Sequence, residues 1–94
     1  MEDTILNTCL VDDSGAGKYA QQLSAGARRF CEAHSNENWH IGGAEAAGGL
    51  ALTVSLNGTP IGNGWPLVLR PSLTLDDDVF GALEDLRVNY VEAQ

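Results

Sequence analysis

Over residues 50–56 the chain alternates strictly. Leu50, Leu52, Val54 and Leu56 fall on one side of an extended strand, and Ala51, Thr53 and Ser55 fall on the other. No other stretch of the sequence gives so clear a strand signal. Asn57-Gly58 follows, a pair that tolerates the positive φ of a tight hairpin turn. A short Thr59-Pro60-Ile61 segment, a second turn at Gly62-Asn63-Gly64 and a strand over residues 65–70 complete a meander. Pro60 and Pro66 belong at edges or strand starts, because proline brings no N–H to a ladder. Nearer the N-terminus, residues 5–11 (ILNTCLV) are short, rich in branched side chains and closed by Asp-Asp-Ser-Gly, which predicts a first strand. Trp39-His40-Ile41 opens a further strand that the run GGAEAAGG, residues 42–49, brings to an end. That run reads as a loop and as the candidate mobile segment.

Two segments carry helical spacing. Tyr19, Leu23, Ala27, Phe30 and His34 recur every three or four residues, with Ala20 and Cys31 beside them, and predict a helix over residues 14–34 capped by Ser14 or Asp13. Gly15, Gly17 and Gly26 each weaken it by roughly 1 kcal/mol relative to alanine, so packing must hold it. Ser35-Asn36-Glu37-Asn38 breaks it. Val79, Leu83, Leu86 and Tyr90 form the stripe of a second helix over residues 74–92, flanked by Phe80 and Val91. The expected order is β-α-β-β-β-α: residues 1–94 as a single small α+β domain, two helices packed on an antiparallel sheet, with Leu52, Val54, Leu83 and Leu86 in the core.

Charge changes what such a domain can meet. Thirteen acids stand against five bases, a net charge of −8. Binding DNA, RNA or anionic lipid needs lysine and arginine to displace counterions, so this balance disfavours direct nucleic-acid or membrane contact and favours a basic protein surface. The α-β-β-β-α part of the order resembles double-stranded RNA binding domains in element order alone. Those domains start their last helix with phosphate-gripping lysines, and this chain has Asp76-Asp77-Asp78 there. An apolar fraction of 44% argues for a folded core over disorder. The acidic N-terminus lacks the basic start and long apolar run of a secretory signal, and no run approaches the ~20 residues that span a bilayer. Cys9 and Cys31 are accordingly expected as reduced core thiols in a cytoplasmic protein.

Candidate chemistry is sparse. VDDSGAGKY, residues 11–19, has the look of a phosphate loop, but a Walker motif needs glycine at position 12 and serine or threonine at 19, where Asp12 and Tyr19 stand. Two aspartates would also face the phosphates. Cys31 and His34 have a Cys-x-x-His spacing that can place two ligands on one helix face, but with His40 and a lone Cys9 they supply no second close pair for a structural zinc site. Neither Ser14 nor Cys31 sits in a nucleophile motif. No enzyme activity, metal or cofactor is therefore expected.

The acids themselves remain. On a helical wheel Asp77, Glu84, Asp85 and Glu92 lie opposite the apolar stripe, with Asp76 and Asp78 near the first turn. Acids at a helix start also favour the macrodipole and solubility. Trp39 and Trp65 sit beside glycine-rich turns, either as partly exposed anchors or as caps on the core. The candidate partner-binding residues are thus Asp76, Asp77, Asp78, Glu84, Asp85, Trp39 and Trp65. The expectation is a non-enzymatic, monomeric or homodimeric protein that inhibits or neutralises a larger basic partner, such as a nucleic-acid-binding complex, as phage and anti-CRISPR inhibitors do. The alternatives are an immunity protein or antitoxin against a nuclease, and a virion component acting through homo-oligomerisation. Calorimetric titration with magnesium and ATP or GTP should show no saturable heat. Heat that disappears in Lys18→Ala would make VDDSGAGKY a phosphate site after all.

Overall fold

In the computed structural model, residues 9–61 and 67–92 are described. β1 (Leu10–Asp12) leads through a 3₁₀ turn (Gly17–Tyr19) into α1 (Ala20–Ala33). β2 (Trp39–Ala46), β3 (Gly49–Leu56), β4 (Thr59–Ile61) and β5 (Leu67–Leu69) follow, then α2 (Leu75–Arg87) and a π-helical turn (Val88–Glu92). The class is α+β: two helices with a five-stranded, mostly antiparallel sheet. β1 lies parallel to β2, as a crossover through α1 requires. β3 is the centre, paired to β2 on one side and, at its two ends, to β4 and β5 on the other. Asn57 and Gly58 take positive φ values of 54° and 83° and close the β3–β4 hairpin as their sequence demands. Residues 5–8 of the expected first strand, the turn at 62–64, Trp65 and Pro66 lie outside the described residues.

Alternation in residues 50–56 translates directly into two faces. Leu50, Leu52 and Val54 are buried beneath the helices, and Thr53 is exposed. Ala51, on the opposite face, is nonetheless 9% exposed, a small side chain in the middle of the sheet. Register places Trp39, Ile41, Leu67 and Leu69 on the helix face as well. Leu23, Ala27 and Phe30 from α1 and Leu75, Val79 and Leu83 from α2 complete the core. Leu86 is half-buried, and Tyr90 is 37% exposed, because the π-helical turn carries it off the stripe.

Three local expectations are corrected. The run 42–49 is not a loop. Most of it is strand, paired residue for residue with β3 from Trp39↔Leu56 to Ala46↔Gly49, so only Ala47-Gly48 turns. Its glycine content hid the pattern for a packing reason: a Cβ on Gly43 would stand 2.9 Å from Leu23 Cδ2 and 3.0 Å from Leu50 Cδ1, so the bare backbone makes room for the core. α1 is also shorter than expected. It starts at Ala20, and neither Asp13 nor Ser14 caps it, because Asp12 Oδ1 accepts hydrogen bonds from both the N–H and the Oγ–H of Ser14 in a turn that precedes the helix. Finally, Cys9 and Cys31 are joined by a disulfide, with Cα atoms 5.8 Å apart. The β1–α1 crossover brings them together, which spacing alone could not reveal. Closing a loop of this size typically stabilises by about 3 kcal/mol.

α1 and α2 cross at Gly26. A Cβ there would collide with the Asp76 carbonyl oxygen and stand 2.7 Å from Val79 Cβ. Gly81 in α2 has nothing near its missing Cβ. The same substitution should thus have opposite signs. Gly81→Ala should stabilise by about 0.5–1 kcal/mol through helix propensity. Gly26→Ala should destabilise by about 1–3 kcal/mol, the cost of forcing the helices apart. Chemical denaturation of both variants checks this, and equal effects would remove the close helix crossing.

Candidate functional site

The acids of α2 do not act as one face. Leu75, Val79 and Leu83 point it into the core, and this fixes the direction of every other side chain. Asp77 and Glu84, seven residues apart, are taken by α1: Asp77 bonds Arg29, whose guanidinium also lies 4.7 Å from the Phe80 ring centroid. Glu84 Oε2 is 2.8 Å from His34 Nε2, at the C-terminal end of α1. Asp76 is half-buried where the two helices meet. Asp78 and Asp85, again seven apart, are exposed on the other flank and have no ion pair among the described residues. Helix geometry puts their Cα atoms about 10 Å apart along the axis.

That flank overhangs β5 and encloses an open groove of about 690 Å³. Leu67, Leu69, Ala82 and Leu86 give it an apolar floor, and Asp77, Asp78 and Asp85 give it an acidic rim opposed by Arg70. Leu67 is 38% exposed in it. Gly81 leaves its wall without a side chain. β5 is bonded along one edge only, to β3, among the described residues. A second concavity lies on the uncovered face of the sheet, lined by small and apolar residues such as Gly42, Thr53 and Pro60. Its one carboxylate, Asp12, is already engaged by Ser14, whose hydrogen bonds lower its pKa. Among the described residues it has no carboxylate left without a hydrogen-bond partner.

Trp39 is not a surface anchor. It is fully buried, edge-on to Phe30 at 5.0 Å, and its Nε1–H donates to Glu37 Oε1 at 2.9 Å. Trp65 lies outside the described residues. The metal candidates are dispersed: Cys9 and Cys31 are consumed by the disulfide, His34 is held by Glu84, and His40 is exposed on the uncovered sheet face. The groove's floor was missed by sequence reasoning because Leu67 and Leu69 read only as strand residues. Their exposure depends on what α2 leaves uncovered.

Compared with known proteins, the chain matches no family model, no curated protein and no solved structure. No helix among the described residues is long and apolar enough to cross a membrane.

One half-buried pair fixes the far end of α2. Arg87 donates from Nε to Glu37 Oε1 at 2.9 Å and from Nη2 to Glu37 Oε2 at 2.6 Å, a two-pronged bond that ties α2 to the loop before β2. The Arg87 hydrogen bonds, joined by that of Trp39 and opposed by burial, hold the Glu37 carboxyl down at about 2. A depressed carboxylate stabilises the fold fully above its unfolded pKa, near 4.5, and loses that contribution as pH falls through about 2. Glu37→Gln should therefore be less stable at neutral pH by on the order of 2–3 kcal/mol. The gap to wild type should close as pH drops from about 4.5 towards about 2. Urea denaturation across that range checks it, and a gap independent of pH would mean that the charge of Glu37 is not what matters.

Proposed function

We propose that this is a non-enzymatic acidic binding protein that neutralises a larger, basic partner by covering part of its surface. The observation that carries the reading is the division of labour on α2. Asp77 and Glu84 are spent on α1, whereas Asp78 and Asp85 have no ion pair among the described residues and stand beside an apolar floor. Carboxylates needed only for solubility have no reason to border exposed leucine; an interface has, since a buried apolar centre with a charged rim is how binding patches are built. Sequence reasoning gave all the acids the same role. The reading now rests on Asp78 and Asp85, with Asp77 contributing at the lip and neither Trp39 nor Glu84 involved. The Cys9–Cys31 bridge supports conditions in which disulfides persist and weighs against the reducing cytoplasm expected from sequence. Capture of the partner belongs in oxidising buffer.

Loss of two rim charges should act mainly on encounter. Asp78→Asn/Asp85→Asn should associate more slowly with the captured partner, with dissociation changed less, because rim charges steer approach while apolar contacts set residence. The deficit should shrink at about 1 M salt, where the screening length falls to about 3 Å. Surface plasmon resonance of wild type and double variant at two salt concentrations measures both. Equal association rates at low salt would reduce these acids to solubilising groups.

A further inference from the structure

The geometry points to a specific mode of recognition at the groove between β5 and α2: an extended segment of the partner, carrying basic side chains on either side of an apolar one, adds to the sheet as a strand alongside β5. This rests on the reading of the groove as the binding surface and says what it binds. Three independent features converge there. First, β5 offers an unpaired backbone edge among the described residues, so an arriving chain finds hydrogen-bonding groups already in strand geometry. Second, the register of Leu67↔Leu52 and Leu69↔Leu50 points both leucines to the helix face. A strand laid beside β5 would continue that face, and every second side chain would drop onto the floor formed with Ala82 and Leu86. Third, Asp78 and Asp85 overhang that same floor, without an ion pair among the described residues, about 10 Å apart along α2. Same-face residues two or four apart in an extended chain stand roughly 7 and 13 Å apart, which brackets this separation. Lysine or arginine at such positions would lay its stem on the leucines and its charge against the carboxylates.

The charge also decides between occupants. A second copy of this chain pairing β5 against β5 would bring Asp78 and Asp85 against Asp78 and Asp85 within a molecule of net charge −8, so self-association through this edge is disfavoured. A partner helix could meet the acids but would leave the β5 edge unbonded.

The test uses the whole protein, oxidised, and a short synthetic peptide with the core Lys-Thr-Leu-Thr-Lys. Backbone amide NMR should show saturable shifts in β5 and from Asp78 in α2 to Asn89 in the turn that follows it. N-methylating the peptide backbone at one alternate set of residues should abolish binding, and methylating the other set should leave it, because only one edge of the added strand faces β5. Replacing both lysines with glutamate should also abolish it. Asp78→Asn/Asp85→Asn should weaken binding about fivefold at low salt, the size expected of two exposed ion pairs. Strand addition is overturned if both methylated peptides bind like the parent, if the shifts map to the uncovered sheet face, or if no saturable shift appears. A silent peptide combined with slower association of the double variant with its captured partner overturns strand addition alone. Unchanged association of that variant overturns the binding reading itself.

Discussion

The close crossing of α1 and α2 at Gly26 is the contact from which the remaining features follow. Because no side chain stands there, the Asp76 carbonyl and Val79 can approach the α1 backbone, and both helices fit over one face of the sheet. Once they are that close, Arg29 and His34 on α1 are in reach of Asp77 and Glu84 on α2. The acids are thereby sorted. Those turned towards α1 become internal partners, and those turned away remain available. A helix pair spaced further apart would leave all of them equivalent and solvated.

The end of α2 is fixed by a different device. Glu37 sits in the loop after α1, accepts from Trp39 in the core and receives two bonds from Arg87. Core, loop and helix terminus are tied by one carboxylate that stays ionised because both its oxygens are bonded to a guanidinium. Together with the Cys9–Cys31 bridge, which fastens the start of β1 to α1, these links brace a chain whose size allows only a modest core. They also hold α2 at the angle that leaves Leu67 exposed beneath its outer flank.

The described residues bring together no cluster of metal-binding side chains. Among those same residues Asp78 and Asp85 have no ion pair and border an apolar floor, and β5 is bonded along one edge only. Backbone edges give affinity with little demand on sequence, and side-chain pockets add selectivity. The proposed reading, a module that occupies another protein, uses that combination.

The sequence by itself determined the α+β class, the two faces of residues 50–56, the Asn57-Gly58 hairpin and the Val79–Leu83 part of the apolar stripe of α2. Each depends on periodicity or on the φ preferences of neighbouring residues, and local chemistry is enough to set them. Residues 42–49 escaped because a glycine-rich strand has no alternating pattern to read; Gly43 is bare to admit Leu23, a residue twenty positions away in sequence. The disulfide, the burial of Trp39 and the pairing of Glu37 with Arg87 escaped for a related reason, since each joins segments that only the packed chain brings together. The candidate site shows the same division within a single helix. Composition and helical spacing showed that α2 is acidic, but Asp78 and Asp85 differ from Asp77 and Glu84 only in what lies opposite them: the open edge of β5 on one side, the cations of α1 on the other. That difference is a property of packing, and the tertiary structure alone decided it.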